Sequence, residues 1–171
     1  MIIGHGDIAS VLKDKKSWIF FASGVSNSQE IREAEYQREK ALLLKQNRHQ
    51  HIVYFSSLSV FYPKTQYTQV RYIKHKKEME ELVKKNFSSY TIVRLGNITW
   101  GENSHTLINA IKGKVRQGES FDIPNTFRYL VDKKEFLHWI KMIPNWNCEM
   151  NIIGERLTIK EIIQKYVYNT S

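Results

Sequence analysis

The chain has 171 residues, of which 42% are hydrophobic and 25% charged, and these values predict one globular domain rather than a disordered chain. Its formal net charge of +9 favours anionic partners, but the lysines are spread along the chain, so exposed helix faces explain the charge better than a dedicated patch. The lone Cys148 excludes an internal disulfide. The sequence shows no signal peptide, and no apolar run approaches the roughly 18–20 residues of a membrane span. We therefore expect a cytoplasmic protein with no membrane partner.

Short apolar runs alternate with amphipathic segments along the chain. The predicted strands are residues 1–3, 18–22, 52–55, 90–95 and 150–153, with residues 121–131 also extended. The predicted helices are residues 8–12, 29–47, 71–86, 106–117, 134–142 and 159–167. Strands that alternate with helices predict an α/β fold whose parallel sheet is covered on both faces.

A glycine-rich turn follows the first predicted strand. Residues 4–9, GHGDIA, fit the dinucleotide-binding pattern G-x-G-x-x-G/A, which also requires a strand before it and a helix after it. The motif predicts cofactor contacts from Gly4, Gly6, Asp7 and Ile8. Taken alone, the motif fits a plain strand-to-helix turn equally well. The acidic residue expected about 20 positions later, at the end of a second strand, is missing because the next strand starts near Trp18. We therefore expect the second and third strands to be absent, which leaves the choice between NAD and NADP open.

Three polar residues in the middle of the chain form a candidate catalytic set. Ser57 follows a predicted buried strand, and Tyr72 and Lys76 lie four residues apart on one face of the next helix. An ammonium group near a phenol favours the phenolate, so Tyr72 can act as a general acid or base while Ser57 hydrogen-bonds the same substrate oxygen. Tyrosine–lysine pairs at this spacing also occur by chance in lysine-rich helices. The order of glycine turn, serine and tyrosine–lysine pair favours the catalytic interpretation.

These motifs together resemble the extended short-chain dehydrogenase/reductase family, and within it the sugar-nucleotide epimerase/dehydratase group. Residues 53–61 resemble the strand that ends in the catalytic serine, here Ser57, and residues 94–101, RLGNITWG, resemble the R-x-x-N-x-x-G segment. The resemblance implies that Tyr72 and Lys76 are the active-site pair, with Lys76 also anchoring the cofactor ribose. It further implies cofactor contacts at Ala22, Ser23 and Gly24, and substrate contacts at Asn97 and Arg128.

The resemblance covers nearly the whole chain and implies a Rossmann-like, three-layer, doubly wound parallel sheet in truncated form. It implies a single domain, with a shortened dinucleotide-binding part in residues 1–100 and a small, mainly substrate-binding part in residues 101–171. The implied function is an NAD- or NADP-dependent oxidoreductase or epimerase that acts on a nucleotide sugar as a homodimer. The glycine pattern differs from the family's usual G-x-x-G-x-x-G, and the serine-to-tyrosine loop is short. A catalytically degenerate protein that binds a nucleotide or sugar without turnover is therefore the alternative.

Other features carry less weight. No nucleic-acid-binding motif accompanies the positive charge, so we expect no specific nucleic-acid partner. His49 and His51 lack nearby carboxylate or cysteine partners, so no metal site is predicted. The charged run of residues 33–40 is interpreted as a solvated or dimer-facing helix surface.

Overall fold

The structure, a computed structural model, describes residues 1–61, 70–119, 123 and 125–168. Its main sheet has five strands, all parallel, which lie side by side in chain order. These strands are β1 (Ile2–Ile3), β2 (Trp18–Phe21), β3 (His51–Ser57), β4 (Tyr90–Leu95) and β7 (Cys148–Ile152). The expected α/β class with a parallel sheet is confirmed.

Alternate side chains of the central strands pack into two separate apolar layers. Phe20 and Val53 face a cluster that includes Phe136 of the fourth helix, whereas Ile19 and Ile52 face a cluster that includes Met79 of the second helix. This two-residue alternation is the geometry of a strand, and it buries both faces because helices cover each one. Full burial of each such side chain stabilises the fold by about 1.5–3 kcal/mol. The result is the expected three-layer architecture.

The sheet is truncated beside β1. Residues 4–17 connect β1 directly to its neighbour β2, and they contain only a three-residue 3₁₀ helix, Ala9–Val11. The second and third strands expected of a complete fold of this kind are thus missing from this connection, as predicted. The helix predicted for residues 8–12 is wrong in type, because too few residues remain for consecutive α-helical turns to offset the cost of nucleation.

Five α-helices occur in the described residues: α1 (Glu33–Leu44), α2 (Val70–Asn86), α3 (Leu107–Arg116), α4 (Lys133–Lys141) and α5 (Ile159–Ile163). The first is shorter than the predicted 29–47, because Glu30 accepts hydrogen bonds from the amides of Ile31 and Arg32 in a turn before the helix. A capping box between Thr158 and Glu161 starts α5, and a π-helix at Gln164–Tyr168 continues it. Among these described elements, no helix is long and apolar enough to span a membrane.

A second, three-stranded sheet was not predicted as such. It consists of β5 (Asn97–Ile98), β6 (Phe127–Val131) and β8 (Glu155–Thr158), with β6 central. The strands β5 and β8 are too short to show an alternating pattern, which explains why the sequence did not reveal them. Gly154 makes the turn from β7 to β8 at a φ of +72°, where an added Cβ would overlap the carbonyl oxygen of Leu130.

Candidate functional site

A cleft of about 880 Å³ lies at the carboxyl ends of strands β1 to β4. Parallel sheets bind ligands at this edge, and pockets for small molecules commonly have volumes of ~300–1,000 Å³. Nearly all of the predicted site residues line this cleft: Gly6, Asp7, Ile8, Ala22, Ser23, Gly24, Ser57, Tyr72, Lys76, Asn97 and Arg128. The fold therefore brings together side chains that are up to 122 positions apart between Gly6 and Arg128.

Gly4 does not line the cleft, but it allows the turn beneath it. Its φ is +119°, and an added Cβ would lie 2.4 Å from the carbonyl oxygen of Ala22. Gly6, in contrast, has nothing within 4 Å of where its Cβ would stand, so its backbone is open to a ligand in the cleft. The 3₁₀ helix that follows has only three residues, so the helix dipole expected to favour a pyrophosphate is small here.

The carboxylate of Asp7 is engaged within the protein. Its two oxygens accept hydrogen bonds from the amides of Glu102, at 3.1 Å, and Asn103, at 3.2 Å. The carbonyl oxygen of Asp7 accepts a further bond from the indole of Trp100 at 3.0 Å. These contacts join the glycine turn to the loop after β5. The predicted cofactor contact of Asp7 remains a prediction, and its side chain also has this structural role.

The three candidate catalytic residues all line the cleft. Ser57 lies at the end of β3, and its Oγ accepts a hydrogen bond from the hydroxyl of Ser59 at 2.9 Å. Tyr72 and Lys76 lie on α2, as their spacing predicted, and both side chains are almost fully buried. The ammonium nitrogen of Lys76 is 5.7 Å from the centre of the Tyr72 ring. In this state Lys76 hydrogen-bonds to two other residues rather than to Tyr72.

Those two residues are Glu39 and Tyr54. Lys76 Nζ donates to Glu39 Oε1 at 3.3 Å and to the hydroxyl of Tyr54 at 3.2 Å. The Tyr54 hydroxyl donates in turn to Glu39 at 2.8 Å. Glu39 Oε2 accepts from the amide of Val25 at 2.6 Å and from His75 Nε2 at 2.9 Å. One fully buried carboxylate therefore accepts four hydrogen bonds.

The charge state of this cluster follows from its contacts. Burial opposes ionisation of Glu39, but Lys76 and the hydrogen bonds from His75 and Val25 outweigh it and lower the pKa of this carboxyl to about 2. Burial, and next the Glu39 charge, raise the pKa of Tyr54 well above its ordinary value. Glu39 is thus an anion and Tyr54 a neutral donor at physiological pH.

The interpretation of residues 33–40 as a solvated surface is wrong for Glu39, which is fully buried. The sequence did contain a signal for this burial. Tyr36, Glu39 and Leu43 are spaced by three and four residues, which is the period of one helix face, and all three are buried. A charged residue within an otherwise apolar helix stripe is therefore a sequence signal for a buried, paired carboxylate.

Basic side chains make the cleft favourable for anions. Four of them line it: Arg38, Lys76, Lys114 and Arg128. Among these cations, Arg38 pairs with Glu35 at 3.0 Å and Lys76 with Glu39 at 3.3 Å, and Asp7 binds backbone amides. The guanidinium groups of Arg38 and Arg128 have the planar shape that suits phosphate oxygens.

The two predicted substrate contacts lie in the small sheet beside the cleft. Asn97 Nδ2 donates to the carbonyl oxygen of Tyr129 at 3.2 Å, which ties β5 to β6. Arg128 donates to the carbonyl oxygen of Phe127 at 2.9 Å and to the hydroxyl of Thr126 at 3.2 Å. Each therefore has a fixed orientation and also lines the cleft.

Metal ligands are not clustered in the part of the chain that the structure describes, where no group of three or more His, Cys, Asp or Glu side chains could hold an ion. His51, one of the two histidines considered above, hydrogen-bonds Ser89 at 2.6 Å and Thr91 at 2.9 Å. Its place at the start of β3 puts it at the opposite edge of the sheet from the cleft.

The fold is similar to that of several solved enzymes, although sequence identity is low. The structure of the Bordetella bronchiseptica enzyme WbmG in complex with NAD matches with a TM-score of 0.64 and 15% identity, over 91% of this chain and 56% of that one. Helicobacter pylori ADP-L-glycero-D-manno-heptose-6-epimerase matches with a TM-score of 0.64 and 16% identity, over 90% and 58%. UDP-N-acetylglucosamine 4-epimerase from Methanobrevibacter ruminantium, in complex with UDP-N-acetylmuramic acid, matches with a TM-score of 0.57 and 17% identity, over 92% and 61%.

This chain thus spans between 56% and 61% of the length of those three solved chains. No protein-family model matches the sequence, and no curated protein matches it either. The likeness therefore shows the fold, and it confirms the expected truncated Rossmann-like architecture.

Proposed function

We propose that this protein binds NAD or NADP in the cleft and catalyses hydride transfer on a nucleotide sugar, as an extended short-chain dehydrogenase/reductase. The observation that carries the proposal is that Ser57, Tyr72 and Lys76 all line one cleft at the carboxyl edge of the sheet. Solved enzymes of the same fold are NAD complexes and nucleotide-sugar epimerases, which supports the proposal.

The residues present fit a nicotinamide dinucleotide. The open backbone at Gly6 and the polar turn through Ala22, Ser23 and Gly24 offer close approach to a diphosphate and ribose. The basic side chains of the cleft complement the negative charge of a dinucleotide. In this proposal Asn97 and Arg128, which also line the cleft, hold the sugar nucleotide.

The bound cofactor supplies the redox chemistry by taking or returning a hydride. In this proposal the Tyr72 hydroxyl moves the proton to or from the sugar oxygen. Ser57 Oγ hydrogen-bonds that same oxygen and so holds the substrate in place. The Lys76 ammonium, 5.7 Å from the centre of the Tyr72 ring, hydrogen-bonds the cofactor ribose in this proposal.

Cofactor binding is the first test. The purified protein is titrated with NADH and with NADPH while nicotinamide and tryptophan fluorescence are recorded. Saturation in the micromolar range by either cofactor supports the proposal, and the tighter of the two identifies the preferred cofactor. The absence of saturation by both at millimolar concentrations contradicts it.

Catalysis is tested separately with Tyr72→Phe. Loss of the hydroxyl removes the proposed acid/base group, so turnover of a nucleotide sugar should fall by roughly 10²–10⁴-fold while NADH still binds. Tyr90→Phe, at the start of β4 and away from the cleft, is the matched control and should retain activity. Full activity in Tyr72→Phe would remove Tyr72 from the mechanism.

A second function is binding of a nucleotide or sugar without turnover. The observation that favours it is the short β1 edge, where the strands that complete the sheet in a full Rossmann fold are missing. Tight ligand binding with no change in nicotinamide absorbance for any nucleotide sugar would support this alternative. The expected homodimer stays a prediction, which size-exclusion chromatography with light scattering can test.

A further inference from the structure

Glu39 is a buried carboxylate that the proposed mechanism does not use. We propose that it is a positioning residue, which holds the Lys76 ammonium charged and fixed beneath the cleft so that this lysine can bind a ligand hydroxyl. The proposal rests on the proposed function, because the ligand in question is the cofactor ribose. It also makes a claim about the free protein, namely that Glu39 controls the position and protonation of Lys76.

The hydrogen bonds of Lys76 support this role. An ammonium group has three N–H donors, and in the described structure Lys76 uses one on Glu39 and one on Tyr54. Lys76 also lines the cleft although only 3% of its surface is exposed. Its remaining donor is thus available to a ligand, while the other two fix its orientation.

Gly24 shows how closely the pair is held against the cleft. An added Cβ at this glycine would lie 2.7 Å from Lys76 Nζ and 2.9 Å from Glu39 Oε1. Since Gly24 itself lines the cleft, the ion pair lies immediately behind the cleft wall. Any side chain at this position would have to displace the pair.

The charges explain why Glu39 is needed. A buried ammonium without a counterion loses its proton or leaves its site, because transfer of an unpaired charge out of water is very unfavourable. Tyr54 is neutral and so supplies a hydrogen bond but no compensating charge. The anion must therefore come from Glu39, which is itself held by the Val25 amide and by His75.

The first experiment measures Lys76 in the free protein. Amine-reactive reagents modify only a neutral, accessible amine, so Lys76 should be labelled slowly in the wild type. In Glu39→Gln the labelling rate of Lys76, followed by peptide mass spectrometry, should rise severalfold, whereas the exposed neighbour Lys77 should be unchanged. Equal labelling of Lys76 in both proteins would overturn the proposal, whether or not a cofactor binds.

The second experiment is a double-mutant cycle on NADH affinity. Glu39→Gln should weaken binding by roughly tenfold or more, as for loss of a hydrogen bond to a charged group, and Lys76→Met by at least as much. If Glu39 acts through Lys76, the double variant binds NADH as Lys76→Met does. If Glu39→Gln instead weakens NADH binding by the same factor in the wild type and in Lys76→Met, its effect is independent of Lys76. That result would refute the positioning role.

Two controls separate this outcome from other failures. Glu33→Gln removes the same charge from the exposed face of the same helix and should leave both readouts unchanged. Gly24→Ala displaces the ion pair without removing either charge and should also raise Lys76 labelling, which tests the proposal if Glu39→Gln does not fold. If the wild type binds neither cofactor, the proposed function fails, while labelling still decides whether Glu39 controls Lys76.

Discussion

The buried ion pair between Arg94 and Glu80 allows a quantitative prediction about the stability of the fold. Arg94 Nε and a terminal nitrogen donate to the two oxygens of Glu80 at 2.9 and 2.5 Å, and both residues are less than 10% exposed. Ser56 Oγ donates to the same carboxylate at 2.6 Å, and Glu149 accepts from Arg94 at 2.5 Å. This network joins α2 to β3, β4 and β7 beside the cleft.

Removal of Arg94 leaves the Glu80 charge buried with only the Ser56 hydroxyl as a hydrogen-bond donor, whereas removal of Glu80 leaves Arg94 with Glu149 as its remaining anion. Arg94→Met should lower the free energy of unfolding by about 3–5 kcal/mol, and Glu80→Met should lower it by less because Glu149 still compensates Arg94. For a chain of this length, the loss in Arg94→Met lowers Tm by roughly 6–20 °C. The double variant should lose less than Arg94→Met, because two apolar side chains leave no buried charge in the pair. Its residual loss should be about 1–3 kcal/mol, mainly from the Ser56 hydroxyl that loses its acceptor.

Urea unfolding followed by tryptophan fluorescence measures these values, since Trp18 lies in the sheet core. Glu81→Met is the matched control, one position along the same helix, where the side chain is 74% exposed. Its exposed pairing with Lys84 predicts a loss of less than about 1 kcal/mol. If the losses of Glu80→Met and Arg94→Met simply add in the double variant, the two residues do not stabilise each other and the reasoning is wrong.

Two further predictions concern pH and glycine. Burial lowers the pKa of His51 to about 4 from 6.5, so the unfolded chain binds more protons between these values and stability should fall as pH drops through this window. His51→Gln should lose less stability over this window than the wild type, whereas the exposed His49→Gln should behave as the wild type in urea unfolding at each pH. Gly113→Ala, inside α3 with open space at its Cβ position, should raise the free energy of unfolding by about 0.5–1 kcal/mol. Gly154→Ala should lower it by more than about 2 kcal/mol, because its φ is +72° and the new Cβ would overlap the carbonyl oxygen of Leu130. The opposite order of the two glycine variants in thermal unfolding would refute this account.

Much of the fold could be predicted from local patterns. The apolar run at residues 18–22 indicated a buried parallel strand. The serines after the strand at 52–55 indicated which edge of the sheet carries the candidate site. Strand period and turn residues are local properties, so they can be read from neighbouring positions. The α-helix predicted after Gly6 is wrong because a local pattern does not show whether enough residues follow to support a helix. The helical pattern there extends over too few residues.

By itself, the sequence determined the order of the main elements, the missing strands beside β1, and the spacing that puts Tyr72 and Lys76 on one helix face. Only the tertiary structure decided what Lys76 contacts. Glu39 and Lys76 are 37 positions apart, and they meet because α1 and α2 pack on the same face of the sheet as Tyr54. The sequence around Glu39 does not show which residues hold it as a buried anion. Its charge can persist in the interior only because partners from other elements compensate it.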